Sequence, residues 1–559
     1  MNKRKKTIIL GLIASVVIVL SILTLLIIKN NSKESKSIRI IGTSDLHGKM
    51  LPFDYTSYTE DESGSVAQLA TAIREFYDEN TYLVDVGDST QGNMADLFVD
   101  SDVHPMIMAL NKLKYDLWVI GNHEFDYKPE ILGNFINDFK GTVLTGNLYR
   151  SDGTKVCDGY KIIEKNGIRV AFIGMTTPND SGWSKENKDA FDVTDSLEET
   201  RKIIDQIKGK YDVLVGLYHM DIYNEFDIPN SGVEDICNAC PEFDVMVASH
   251  GHRKIEGDMI NGVLVVENAD KAQTMSVIDL DLKQVDGKWT VEEKKSESIE
   301  ISKYKQDPVL QSMFIGADRV AKADATSIIG KLEGDPLVPK TSDISVPVED
   351  TSLPATYFCD TAEIDLINDV MMYYADCDIS CAANNDPKSN IKPGEIHKCD
   401  ISLIYRYDNN LCKVRMTGAQ LKKFMESNAE IYQTYKKGDK GVSIKPETHI
   451  YDFYIFDGVK FDIDVSEEEG SRIKNLTYMD GKPIEDKDEL EIAVNGYLLN
   501  AKLLRPGTIY EEGDMPTLVE SDICAEKGSI RDLIIEYIKE HEAGDLHSVC
   551  DENWKIIGY

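Results

Sequence analysis

Short runs of Val, Ile and Leu, each followed at once by carboxylate, amide or imidazole side chains, recur through the first half of this chain. Ile38–Gly42 precedes Asp45-Leu-His47, and Tyr82–Val86 precedes Gly87-Asp88. Leu117–Ile120 precedes Gly121-Asn122-His123-Glu-Phe-Asp126, Val213–Leu217 leads into Tyr218-His219, and Val245–Ala248 into Ser249-His250-Gly-His252. Apolar runs of this length, rich in β-branched residues, read as strands buried on both faces. Open α/β sheets place their sites just beyond the carboxyl ends of such strands. The repeated pattern therefore predicts a layered α/β domain with its polar side chains gathered at one edge.

The donors are specific in kind. Asp45, His47, Asp88, Asn122, His219, His250 and His252 offer carboxylate, carboxamide and imidazole groups. That mixture suits two divalent cations drawn from Zn, Mn, Fe or Mg. Asp45 and His47, one residue apart, are expected to point the same way at a strand end. Asp88 has two oxygens with which to bridge a pair of ions. Taken singly, an Asp-x-His is a surface turn and a lone His after Val213–Leu217 a core residue; the ordered set carries the reading. His123 and Asp126 form a separate pair. Beside Asn122 but turned from the cations, His123 is placed to donate a proton or orient an anion, with Asp126 fixing its other nitrogen.

With 61 basic against 97 acidic residues, the formal charge is −36. Long nucleic acid, which is held by a basic stripe, is excluded as a partner. A small anionic substrate is not, because bound cations invert the local potential. No obligate protein partner is evident. Lys3-Arg-Lys-Lys6 precedes an uncharged run, Thr7–Ile28. As a helix that run would span roughly 33 Å, enough to cross a bilayer. The expectation is a single-pass anchor in the cell membrane with everything beyond about Ser37 outside, secretion after signal cleavage being the alternative. In that compartment disulfides are plausible, with Cys237/Cys240, Cys377/Cys381 and Cys399/Cys412 as candidates and unpaired buried thiols as the alternative.

The segments 1–36, 37–305, 306–325 and 326–559 read as basic flank with anchor and linker, α/β domain, connecting helix, and second domain. Helical spacing marks Val66–Tyr77, Ser196–Ile207, Pro308–Ala323, Asp365–Ala375 and Gly418–Asn428. Strand-like alternation marks Tyr451–Val465 and Glu489–Val494, with Gly481-Lys-Pro483 as a turn and 333–354 as a loop.

Ser44-Asp-Leu-His-Gly48, Val86-Gly-Asp88, Gly121–Asp126 and Ser249–His252 resemble the calcineurin-like metallophosphoesterase domain of the 5′-nucleotidase family. Tyr405-Arg-Tyr-Asp-Asn409, Met416–Leu421 and the stretch from Tyr451 to Pro483 resemble its C-terminal substrate-binding domain. They are most similar to the bifunctional 2′,3′-cyclic-nucleotide 2′-phosphodiesterase/3′-nucleotidase branch. The resemblance implies a β-sandwich flanked by helices, a second α/β domain, and hydrolysis of nucleotides to nucleoside and phosphate. It further implies that Asp45, His47 and His252 hold one metal and Asn122, His219 and His250 the other. Asp88 would bridge them, and the His123–Asp126 dyad would assist catalysis. Tyr407 and Tyr497 would stack the base, with Asn384 and Asn409 near the substrate. Asn384-Asn-Asp-Pro-Lys388 lacks the arginine of typical 5′-nucleotidases, and Leu498–Lys502 replaces a usual Gly-Gly pair. The missing arginine favours the cyclic/3′ branch, with a 5′-nucleotidase or a UDP-sugar hydrolase as the alternative. A surface binding protein on a dead scaffold is the non-enzyme alternative, against which the intact donor set argues.

Overall fold

The computed structural model describes residues 35–559 apart from 181–182, 226–227, 286, 385, 387, 408, 447, 449, 525–526 and 542–543. The expected membrane span Thr7–Ile28 lies outside them. Among the described residues no helix is long and apolar enough to cross a membrane. One compact unit runs to Phe314, leaving out Phe53–Asp61; that segment folds with a second unit, Ile315–Tyr559. The boundary falls inside the helix Pro308–Ala325.

In the first unit each apolar run becomes a strand in one of two six-stranded sheets. The first sheet has the order Lys288–Glu300, Thr274–Val285, Ser35–Thr43, Thr81–Asp85, Leu117–Val119, Thr142–Leu144. The last four strands are mutually parallel. The second has the order Ile255–Ile260, Val263–Glu267, Val245–Ala248, Val213–His219, Ile168–Thr176, Tyr160–Lys165, with a parallel centre and antiparallel edges. Alternate residues explain the packing. Ile38, Ile40, Val84 and Val119 from one sheet meet Val170, Val213, Val215 and Val247 from the other in a single buried cluster. The intervening Leu214, Tyr218, Met246 and Ala248 pack with Ile203, Ile207, Val233 and Ile236 of the helices Ser196–Ile207 and Val233–Ala239. With both faces covered, continuous apolar runs are what these strands require.

Helix starts follow local chemistry. Ser65 accepts the Gln68 N–H to open Val66–Phe76, and Asp195 accepts the Glu198 N–H to open Ser196–Ile207. In the second unit, Thr417 and Gln420 form a capping box at Gly418–Ala429. A mixed five-stranded sheet there has the order Tyr454–Asp457, Ile379–Ala383, Glu489–Asn495, Leu411–Thr417, Thr517–Ile523. The helix Ala362–Ala375 packs against it and begins three residues earlier than its spacing predicts.

One expected strand is divided, and the cysteines follow the unpaired alternative. Tyr451–Val465 is not one strand: Tyr454–Asp457 and Val459–Asp464 belong to different sheets. The break is at Gly458, whose φ is +80°, and a Cβ there would sit 1.8 Å from the Asp378 carbonyl oxygen. None of the candidate disulfides forms, and all ten cysteines are free thiols. Cys237 and Cys240 instead pack in the core beneath the second sheet, and Cys381 and Cys412 in the core of the second unit.

Candidate metal centre

Asp45 and His47 lie just past Ser35–Thr43, Asp88 past Thr81–Asp85, and Asn122 and His123 past Leu117–Val119. His219 is the last residue of its strand, and His250 and His252 follow Val245–Ala248. Parallel pairing brings the ends within each sheet to one edge. Asp45 and His47 are not alternate residues of a strand, as their spacing predicts. Both are in the left-handed region (φ 51° and 42°), as are Asp88, His250 and His252. Each such residue costs about 1–2 kcal/mol of backbone strain, a load concentrated where the loops turn their donors inward.

The donors form two groups, Asp45 with His47 and His252, and Asp88 with His219 and His250, each with its ligand atoms within 4.8 Å of one another. In the first, His47 Nε2 lies 3.2 Å from His252 Nε2, which lies 3.5 Å from Asp45 Oδ1. In the second, His219 Nε2 lies 3.1 Å from Asp88 Oδ2 and 2.9 Å from Asn122 Oδ1. The His250 N–H donates to Asp45 Oδ1 at 3.1 Å, tying the groups together.

Proton bookkeeping tests whether cations fit. His219 Nδ1 donates to the Val86 carbonyl at 2.6 Å, which leaves Nε2 with its lone pair toward the Asn122 and Asp88 oxygens. Asp88 Oδ1 accepts the His123 N–H at 2.9 Å, but Oδ2 is buried without a hydrogen-bond donor. His219 Nε2 thus faces an amide oxygen and a carboxylate oxygen, three acceptor-type atoms brought together. A divalent cation is what satisfies such a set.

The loops are held by a residue that sequence reasoning missed. Glu124, fully buried, accepts the N–H groups of Asp88 and Gly121 on Oε2 at 2.9 and 2.8 Å. Its Oε1 accepts those of Ser89 and Thr90 at 2.9 and 3.1 Å and the Thr90 hydroxyl at 3.0 Å. The signal lay in view as an acid inside the Gly121–Asp126 motif. Gly121 is required by the same crowding, since a Cβ there would lie 2.2 Å from Asp88 Oδ1.

His123 is half-exposed, its Nδ1 2.7 Å from Asp126 Oδ2. Burial works against its charged form, but Asp126 and Asp88 outweigh it and hold the imidazole well above its ordinary pKa. Its ring is edge-on to His47, centroids 5.4 Å apart.

In the second unit, Tyr407 and Tyr497 are both exposed, at 47% each. Gly496 N–H donates to the Asn410 carbonyl at 3.0 Å, and a Cβ at Gly496 would sit 2.0 Å from Asn410 Oδ1, so the segments carrying the two rings abut. Burial and Asp452 raise the Tyr497 phenol, with Tyr451 and Tyr407 adding to it. Asn409 is half-buried and accepts the Ile530 N–H at 3.0 Å through its carbonyl. Asn384 is buried and its amide is spent on the protein: it donates to Glu363 Oε1 at 3.3 Å and accepts the Asp386 N–H at 2.8 Å.

Residues 38–254 match the calcineurin-like phosphoesterase family and residues 330–503 the 5′-nucleotidase C-terminal domain. The chain is 26% identical, over 93% of its length, to the trifunctional nucleotide phosphoesterase protein YfkN of Bacillus subtilis, of which it spans 39%. It is 25% identical, over 94% of its length, to a 2′,3′-cyclic-nucleotide 2′-phosphodiesterase/3′-nucleotidase of Haemophilus influenzae, spanning 88% of that protein. Its fold is that of a Staphylococcus aureus protein solved in complex with alpha-ketoglutarate (TM-score 0.71, 20% identity, 93% of this chain and 100% of that one). The matched domains, in this order, make the chain a member of the family that joins a calcineurin-like phosphoesterase domain to a 5′-nucleotidase C-terminal domain, and a metal-dependent phosphoric ester hydrolase.

Proposed function

We propose that this chain hydrolyses nucleotides at a centre of two divalent cations, with 2′,3′-cyclic nucleotides and 3′-nucleotides as its best substrates and nucleoside and phosphate as products. The observation that carries the reading is the buried Asp88 carboxylate, with Oδ1 tied down and Oδ2 set without a donor against the lone pair of His219. Asp45, His47 and His252 would hold one cation, and Asn122, His219 and His250 the other, with Asp88 between them. When bound, such a pair offsets charge on the phosphoryl oxygens and lowers the pKa of a water nucleophile.

The chain's own residues do the rest. Asp126 fixes the His123 proton on Nδ1 and keeps the ring charged, so that Nε2–H can donate to a phosphoryl or departing oxygen. Val86 and Glu124 lock the orientation of His219 and of the Asp88 loop before substrate arrives. Nucleotides, rather than phosphate esters at large, are favoured by the names of the relatives and by the abutting Tyr407 and Tyr497 segments. Lys388, where typical 5′-nucleotidases carry arginine, supports the cyclic/3′ preference.

A panel of 2′,3′-cyclic, 3′- and 5′-nucleotides at fixed Mn, with and without chelator, tests the reading. The expected result is chelator-sensitive release of phosphate, fastest from 3′-nucleotides, with ready opening of the cyclic esters. A clear preference for 5′-AMP overturns the substrate choice, and release indifferent to chelator overturns the cation centre. The apolar run Thr7–Ile28 supports an anchored enzyme facing away from the cytoplasm. Protease added to intact cells should then release soluble activity.

A further inference from the structure

His250 has a largely buried carboxylate at the Nε2 edge of its ring that no motif in the sequence marks. Glu225 Oε1 lies 3.2 Å from His250 Nε2, with the two side chains 10% and 25% exposed. The carboxylate is fixed from the other side. The Thr177 hydroxyl donates to Oε1 and the Asn179 amide to Oε2, each at 3.0 Å.

Its backbone is equally constrained. The Glu225 N–H donates to Ser231 Oγ at 2.7 Å. Asn224 accepts the Gly232 N–H at 2.8 Å and donates to Asp235 at 2.7 Å. A Cβ at Gly232 would lie 2.4 Å from the Tyr223 carbonyl carbon, so the two ends of this loop close tightly on each other. Glu225 thus holds a set position rather than swinging in solvent.

An imidazole that gives its Nε2 proton to a carboxylate keeps the Nδ1 lone pair free, and the partner fixes both the tautomer and the ring orientation. We propose that Glu225 is a positioning residue for His250: it holds the proton on Nε2 and presents Nδ1 to the cation shared with Asp88 and His219. This rests on the two-cation reading above. It assigns His250 the same arrangement that Val86 gives His219 with the ring reversed, since there Nδ1 carries the proton and Nε2 faces the other donors. Thr177 and Asn179, just past the strand Ile168–Thr176, then act behind Glu225 and tie a neighbouring strand of the second sheet to the centre.

Calorimetric titration of the chelator-stripped, full-length protein with Mn separates the possibilities. Wild type should show two binding steps. In Glu225→Ala one step should weaken by roughly 10–100-fold while the other holds. Glu225→Gln, which keeps the shape and an accepting oxygen, should recover most of that loss, with melting temperatures recorded for all three proteins. Two unchanged steps in Glu225→Ala overturn the assignment, as does loss of turnover with both steps intact, which would put Glu225 on the substrate. A wild-type protein that takes up fewer than two ions refutes the cation reading itself, whatever the variants do.

Discussion

The Glu124 carboxylate lies directly beneath the Asp88 loop, accepting the Asp88 N–H at 2.9 Å and the Gly121 N–H at 2.8 Å on one oxygen. Its other oxygen accepts Ser89 and Thr90. Four backbone donors from two loops thus converge on one buried anion. Glu124→Gln would turn an amide NH₂ against some of those N–H groups. We expect a loss of about 3 kcal/mol of stability, together with weakened metal binding as the Asp88 loop relaxes. Chemical denaturation and metal analysis of the same preparation check both. A variant as stable as wild type would show that the donors find other partners.

Asp88 and His123 are predicted to separate binding from rate. In the proposed centre Asp88 would lie between the two cations, so Asp88→Asn should empty the centre and abolish turnover. The His123 imidazole pairs with Asp126, and its tie to Asp88 is a backbone N–H that alanine keeps, so His123→Ala should keep both cations and lose roughly 10²–10⁴-fold in kcat. Metal content measured beside kcat decides it, and a His123→Ala protein stripped of metal would contradict this division.

How much of this was legible in the sequence depended on whether the cause was local. The strand runs could be read because residues buried on both faces must be apolar, whatever lies above them. The donor residues could be read because cations accept few side-chain types. The conformation of Asp45 and His47 could not, because it is set by partners far along the chain. Asp45 N–H donates to the Gly87 carbonyl and His47 N–H to that of Asp88, each at 2.9 Å. The role of Glu124 was hidden for the same reason, because it is set by the two loops that close over it. The fate of Phe53–Asp61 was equally hidden, since Tyr55 reaches Asp318 at 2.9 Å across 263 positions. Helices were legible to within a few residues because Ser65, Asp195 and Thr417 cap them from next door.

Glu363 gives a prediction in pH. It is fully buried beneath Asn384 and Ser389, and burial pushes its carboxyl from 4.5 up to about 8. The folded protein therefore keeps this proton through a range in which the unfolded chain has lost it. The stabilisation is fully present below pH 4.5 and is lost as pH rises towards 8, with a slope of up to about 1.4 kcal/mol per pH unit. Glu363→Gln, which cannot ionise, should lose that slope. The difference between its melting temperature and that of wild type, followed from pH 5 to pH 8, should therefore grow in the variant's favour. A constant difference would mean that Glu363 is charged in the folded state.

The last prediction concerns the exposed rings. If Tyr407 and Tyr497 grip the nucleobase, they do so by stacking, and every base has a π-face. All four bases should then be accepted with modest preferences. Each ring contributes roughly 1–3 kcal/mol on stacking platforms of this kind, so Tyr497→Ala should raise KM for nucleotides by about tenfold or more. Its half-exposed ring supports little of the core, and the turn that carries it is held by Asn495 accepting the Leu498 N–H at 2.7 Å and by Asn410. The substitution should therefore leave the fold intact. A small aryl phosphate, which has no base to stack, provides the internal control: its turnover depends on the metal centre alone and should scarcely change. Equal losses on the nucleotide and the aryl ester would return Tyr497 to a structural role, while leaving the donor groups around Asp88 as they stand.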